Sequence, residues 1–97
     1  MNALLIGADS LGKIPEILAS YNIRIAQHIS GRNTAHSRKT TLPKNTELLI
    51  LLTDFLCHNA MRHYRDTAAA RGIPVLACRR SATAVQERLQ HDGWKLH

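Results

Sequence analysis

Residues Glu47–Thr53 read ELLILLT, five consecutive leucine and isoleucine residues between a carboxylate and a hydroxyl. A strand with one wet face alternates apolar and polar residues. A run that is apolar at every position has both faces covered, as in a parallel sheet packed between helices. This is the most apolar stretch of the chain, so it is read as a central strand, and the remaining elements are sought on either side of it.

ALLIG (Ala3–Gly7) is a second continuous apolar run, ended by glycine. IRIAQHI (Ile23–Ile29) alternates and is rich in β-branched residues. IPVLAC (Ile73–Cys78) is a fourth strand, and Pro74 near its start places it at a sheet edge. Between the strands the period changes. IPEILASY (Ile14–Tyr21) sets Ile14, Ile17, Leu18 and Tyr21 at i, i+3, i+4 and i+7, with Pro15 in the first turn where its missing N–H costs nothing. Asp54–Arg71 favours helix, with Asp54 as its cap and Gly72 as its terminator. Ser81–Gly93 is a last helix, capped by Ser81 and ended by Gly93 before a short WKLH tail. Ser30–Asn45 is a polar crossover without an acid, carrying Arg32, His36, Arg38, Lys39 and Lys44. A parallel connection needs about a dozen residues, so part of it is expected to form a short helix. The sum is an α/β fold: an open parallel sheet of four strands in the order 2-1-3-4, with helices on both faces.

The 97 residues make one domain, with a core over about 3–91. With 44% hydrophobic and 21% charged residues the composition is globular and not disordered. Aromatics are only 4%, so the core is built from Leu, Ile, Val and Ala. Lys and Arg number 13 against 7 acids, a net charge of +6 that attracts polyanions and makes nucleic acid a candidate partner. No apolar stretch approaches the ~20 residues of a membrane span. The start lacks the features of a secretion signal, so a cytoplasmic protein is expected, with Cys57 and Cys78 reduced; their spacing matches no zinc-binding pair.

Ligands of open parallel sheets bind beyond the carboxyl ends of the strands, at the point where the strand order switches, here between strands 1 and 3. The residues delivered there are Asp9, Ser10, Gly12 and Lys13 after strand 1, and His28, Ser30, Gly31 and Arg32 after strand 2. Thr53, Asp54, His58 and Asn59 follow strand 3, and Arg79, Arg80 and Ser81 follow strand 4. Most of their charge is positive, and Arg38 and Lys39 of the crossover add to it.

Four chemistries compete for this edge. GADSLGKI (Gly7–Ile14) imitates a nucleotide phosphate loop, but Ile14 stands where the magnesium-holding hydroxyl belongs, and Asp9 would put a carboxylate in the cradle. Gly7 and Gly12 then serve a tight strand-to-helix turn. Asp9, Asp54 and Ser81 imitate a phosphorelay receiver, but the magnesium-binding acid pair and the fifth strand are missing, which leaves Asp54 and Ser81 as helix caps. A transition-metal site would use His28, His58 and Asp54, since a helix starting at Asp54 sets Asp54 and His58 at the chelating i, i+4 spacing. Catalysis has no local motif. Cys78 beside Arg79 and Arg80 would be an activated thiol if exposed and an inert one if buried.

The strings GADSLGKIP, HISGR, LPKNTELLILLTDFLCHN and RGIPVLACRRS together resemble a bacterial family known as domain of unknown function 2325, over roughly Leu4 to Leu89. The resemblance implies a small Rossmann-like domain and brings no activity, substrate or cofactor with it. Its signature positions here are Gly7, Asp9, Gly12, Ile14, His28, Gly31, Arg32, Thr53, Asp54, His58, Asn59, Arg80 and Ser81. Lys13 departs from the asparagine of many relatives, which makes the lysine of the apparent phosphate loop incidental.

The sequence therefore leads to a non-enzymatic binding protein for a phosphate-bearing ligand, nucleic acid or nucleotide. Lys13, Arg32, Arg38, Lys39, Arg79 and Arg80 would neutralise phosphates, while Asp54, His58 and Asn59 would read a polar group. The rival readings are a metal or metal-cofactor binder and an enzyme of unknown reaction. Exposed sheet edges predict a two-fold homodimer.

Overall fold

The structure is a computed structural model and describes residues 1–29, 42 and 44–94. Its elements are β1 (Asn2–Ile6), α1 (Ile14–Ser20), β2 (Arg24–Ile29), β3 (Leu48–Leu52), a 3₁₀ turn (Thr53–Phe55), α2 (His58–Ala70), β4 (Val75–Cys78) and α3 (Ala82–His91). The four strands form one sheet in the order β2-β1-β3-β4, every pairing parallel. β3 is buried at every position, as its composition requires of a central strand.

The pleat divides the core in two. On one face Leu5, Leu48, Ile50, Leu52 and Leu76 pack with Ile14 and Leu18 of α1 and Val85 and Leu89 of α3. On the other face Leu4, Ile6, Leu49 and Leu51 pack with Tyr64 and Ala68 of α2 and with Leu42 at the end of the crossover. Burying a Leu or Ile side chain is worth about 1.5–3 kcal/mol, so the two apolar layers hold the sheet between its helices. Arg71, at the C-terminus of α2, fastens the crossover's end by donating from Nη1 to the Leu42 carbonyl at 2.7 Å and from Nη2 to the Lys44 carbonyl at 3.3 Å.

Two local readings are corrected. Ile23–Ile29 does not alternate regularly: Ile25 pairs with Ala3 and Gln27 with Leu4, so Ala26 is an extra residue without a partner on β1. The bulge advances the pleat by one residue. Ile25 accordingly packs on the α1 face and Ile29 on the α2 face. The second correction concerns Asp54, which does not cap α2. The 3₁₀ turn intervenes, and the helix begins at His58, capped by Cys57, whose Sγ accepts from Ala60 N at 3.4 Å.

The other punctuation stands as read. Ser81 caps α3 by accepting from Ala84 N at 2.9 Å. Gly72 and Gly93 follow the last turns of α2 and α3, and Ile73 N→Ala68 O and Trp94 N→Leu89 O close those turns at 2.9 Å. Pro74 precedes β4, an edge strand, and its carbonyl accepts from Leu49 N at 3.0 Å. Among the described residues no helix is long and apolar enough to cross a membrane.

Candidate functional site at the carboxyl edge of the sheet

The turn after β1 is dictated by its neighbours. Gly7 has φ +115°, and a Cβ there would lie 2.9 Å from both Cβ and the carbonyl oxygen of Leu52. Glycine is therefore required for the ends of β1 and β3 to approach so closely. Ala8 follows in the left-handed region at φ +61°, a conformation costing about 1–2 kcal/mol for a residue with a side chain. The end of β2 holds this turn in place. Gly7 N donates to the Ile29 carbonyl at 2.8 Å, and His28 Nε2 lies 3.0 Å from the Gly7 carbonyl and 2.9 Å from that of Ala8. A ring nitrogen facing two carbonyl oxygens carries a proton and donates to them.

A second network ties the loops after β1, β3 and β4. Arg80 donates its backbone N–H to Asp54 Oδ1 at 3.0 Å and its Nε–H to the Ser10 carbonyl. Asp54 thus spends an oxygen across the edge, which is why it is not available as a helix cap. Thr53 Oγ1 reaches the Cys78 carbonyl at 3.4 Å, closing the gap between the 3₁₀ turn and the end of β4.

These networks sort the residues singled out from the sequence. His28, Asp54, Arg80 and Ser81 each have a polar atom engaged in the scaffold. Asp9, Ser10, Gly12, Lys13, Asn59 and Arg79 are exposed at the edge, as is His58 on the first turn of α2. Ser30, Gly31, Arg32, Arg38 and Lys39 lie outside the described residues. Ile14, at the position a phosphate loop gives to its metal-holding hydroxyl, is 1% exposed and packs in the core.

The chelating spacing of Asp54 and His58 is not formed, because Asp54 sits in the 3₁₀ turn and the extended residues Leu56 and Cys57 separate it from the helix. Among the described residues no three His, Cys, Asp or Glu side chains group as a metal site needs. Cys78 is half-buried, and that burial pushes its thiol up to about 11, so it stays protonated near neutrality.

Sequence reading missed one part of the edge. An open groove of about 370 Å³ lies against the first turns of α2, lined by Thr53, His58, Met61, Arg62, Arg65 and Asp66. Arg62 and Arg65 fall at i+4 and i+7 from His58, so counting along the helix face from that histidine would have found them.

The family model described as "uncharacterized protein conserved in bacteria (DUF2325)" matches residues 2–91. The chain belongs to this family. No curated protein and no solved structure matches it. Several positions that carried the resemblance to DUF2325 have architectural work at this edge: Gly7 permits the close approach, His28 clamps the turn, Asp54 and Arg80 tie the loops, Ser81 caps α3 and Ile14 fills the core. Asn59 and His58, exposed where α2 begins, have no such work among the described residues.

Proposed function

We propose that this DUF2325 domain is a non-enzymatic binding protein of the cytoplasm whose basic carboxyl edge takes a phosphate-bearing ligand, nucleic acid foremost, and that it acts as a homodimer. The observation that carries this reading is an imbalance at the edge. Lys13, Arg62, Arg65 and Arg79 are exposed and, among the described residues, form no ion pair. Of the acids at this edge, Asp54 is engaged by the Arg80 backbone. Cations left without partners on one edge of a protein of charge +6 are suited to phosphates and their counterion atmosphere.

Each phosphate neutralised lowers log K by about 0.7–0.9 per unit of log salt. Contact through these four side chains therefore predicts a fall in oligonucleotide affinity of tens- to hundreds-fold between roughly 50 and 200 mM salt. Fluorescence anisotropy at the two salt concentrations measures it, and affinity that is absent at low salt or indifferent to salt refutes the reading. ATP and GTP are expected not to be hydrolysed, because the core residue Ile14 cannot hold magnesium. Phosphate release that follows the purified protein and is abolished in Lys13→Ala would refute that expectation.

A further inference from the structure

The groove along α2 is lined by groups that a bare anion does not need. Arg62 and Arg65 offer guanidinium donors, Met61 is half-buried and apolar, Asp66 is an exposed carboxylate, and Thr53 and His58 stand at the groove's start. Arg62 and Asp66 are four residues apart on one helix, the spacing at which opposite charges commonly pair. They form no ion pair, and among the described residues the side chains of Arg62, Arg65 and Asp66 engage no partner. Both the donors and the acceptor are therefore free for a ligand. A phosphate alone would use the two arginines and leave Met61 and Asp66 without a role. A ligand carrying an anion at one end, an apolar ring in the middle and an N–H donor at the other end would use all of them.

We infer that this groove holds one unpaired nucleotide of a single-stranded nucleic acid, with its phosphate on Arg62 and Arg65 and its base over Met61, donating an amino N–H to Asp66. The inference rests on the nucleic-acid reading of the basic edge and adds to it the strandedness and the base preference. The volume of about 370 Å³ lies near the lower end of the ~300–1,000 Å³ range of small-ligand sites, so it suits one nucleotide-sized group. A duplex keeps its bases stacked and their pairing donors occupied, and so offers the groove only its phosphates. A single strand can turn a base outward and present its pairing edge. Arginine planes add a stacking surface that tolerates any base, and Asp66 supplies the discrimination. Cytosine presents an N4 amino donor where thymine presents an O4 acceptor, so the carboxylate favours cytosine.

The experiment titrates end-labelled oligo-dC, oligo-dT and a mixed-sequence duplex of equal length into the intact protein at low salt. It compares wild type with Arg62→Ala/Arg65→Ala and with Asp66→Ala. All three substituted residues are exposed on α2, and a thermal melt confirms that the variants are folded. The expected result is at least tenfold tighter binding of single strand than of duplex, with about a tenfold loss of single-strand affinity in the double arginine variant. Asp66→Ala should weaken oligo-dC several-fold while leaving oligo-dT unchanged or tighter.

Removing a carboxylate from a purely electrostatic surface would tighten every oligonucleotide alike, and that outcome overturns the inference. So does a duplex bound as tightly as the single strands, in which case the basic edge still stands as a nucleic-acid site, or a double arginine variant that binds like wild type, which leaves Lys13 and Arg79 to carry that site. If no oligonucleotide binds wild type at low salt, the nucleic-acid reading falls and the inference falls with it.

Discussion

Two histidines at this edge do opposite work, and substitution separates them. His28 directs its Nε2–H at the carbonyls of Gly7 and Ala8, in a turn where Ala8 is left-handed. His28→Ala removes that donor and leaves the two carbonyls of the turn without it, so stability should fall by about 1 kcal/mol or more. A urea midpoint equal to wild type would contradict this role. His58 is exposed at the first position of α2 and lines the groove, so His58→Ala should change stability by less than about 0.5 kcal/mol while weakening oligonucleotide binding several-fold. A His58→Ala protein that melts far lower, yet binds normally once folded, would move the site elsewhere. The cysteines divide in a similar way. Cys78 ends β4 half-buried with its thiol pushed up to about 11, chiefly by burial, whereas Cys57 is exposed. Alkylation of the folded protein at neutral pH should modify Cys57 first, with Cys78 gaining reactivity only as pH rises toward its raised value. The folded state holds the Cys78 proton more tightly than the unfolded chain, so this contribution to stability is complete below the ordinary value of 9.0 and is lost as pH climbs toward about 11. Equal labelling of both cysteines at neutral pH, read by peptide mass spectrometry, would refute the assignment.

At the scale of elements, α2 shows how a boundary is decided by a distant residue. Asp54 has the chemistry of a cap, yet its carboxylate accepts from Arg80, so the start of the helix moves to His58 and Cys57 takes the cap with a sulfur acceptor at 3.4 Å. Serine is a far better cap than cysteine, because its oxygen is a stronger and less bulky acceptor. Cys57→Ser should therefore stabilise the protein by about 0.5–1 kcal/mol, read as a higher melting temperature; an unchanged or lower one would show that the sulfur does not act as the cap. The same element shows what was legible in the sequence. Continuous apolar runs at β1 and β3, the period of α1, the serine before α3 and the glycines after α2 and α3 are local signals that mark the elements, and the alternation of strands and helices then led to the order of the parallel sheet. The cap of α2 was not legible, because the partner that withdraws Asp54 is 26 residues away. Nor was the bulge at Ala26, since the register of β2 is set by β1 across the sheet. In the candidate site the positions were readable while their roles were not. His28 looks like a ligand residue until two carbonyls are seen at its Nε2, and Arg62 and Arg65 look like ordinary surface charge until the groove is seen between them and the 3₁₀ turn.

For the whole molecule, the sheet ends in two unequal edges. β4 has only four residues, and so short an edge strand offers few free backbone groups. β2 is different: four of its six residues are exposed, and among the described residues the strand pairs with β1 on one side only. An unguarded edge strand is a template for a second copy, and a chain of 97 residues gains stability by covering surface. A two-fold axis through the β2 edge would pair the two copies antiparallel and join both sheets into one. Because every strand within a copy runs the same way, such pairing points the two basic edges in opposite directions. Each copy would then hold its own stretch of nucleic acid, without a single strand bridging the two sites. Sedimentation at tens of micromolar should give twice the monomer mass. Gln27 is exposed on β2, and Gln27→Lys would set two like charges near each other about the axis, shifting the equilibrium to monomer while leaving single-strand affinity per copy unchanged. A wild-type monomer under these conditions refutes the dimer. A dimer indifferent to Gln27→Lys moves its interface away from β2, to the packing of helices.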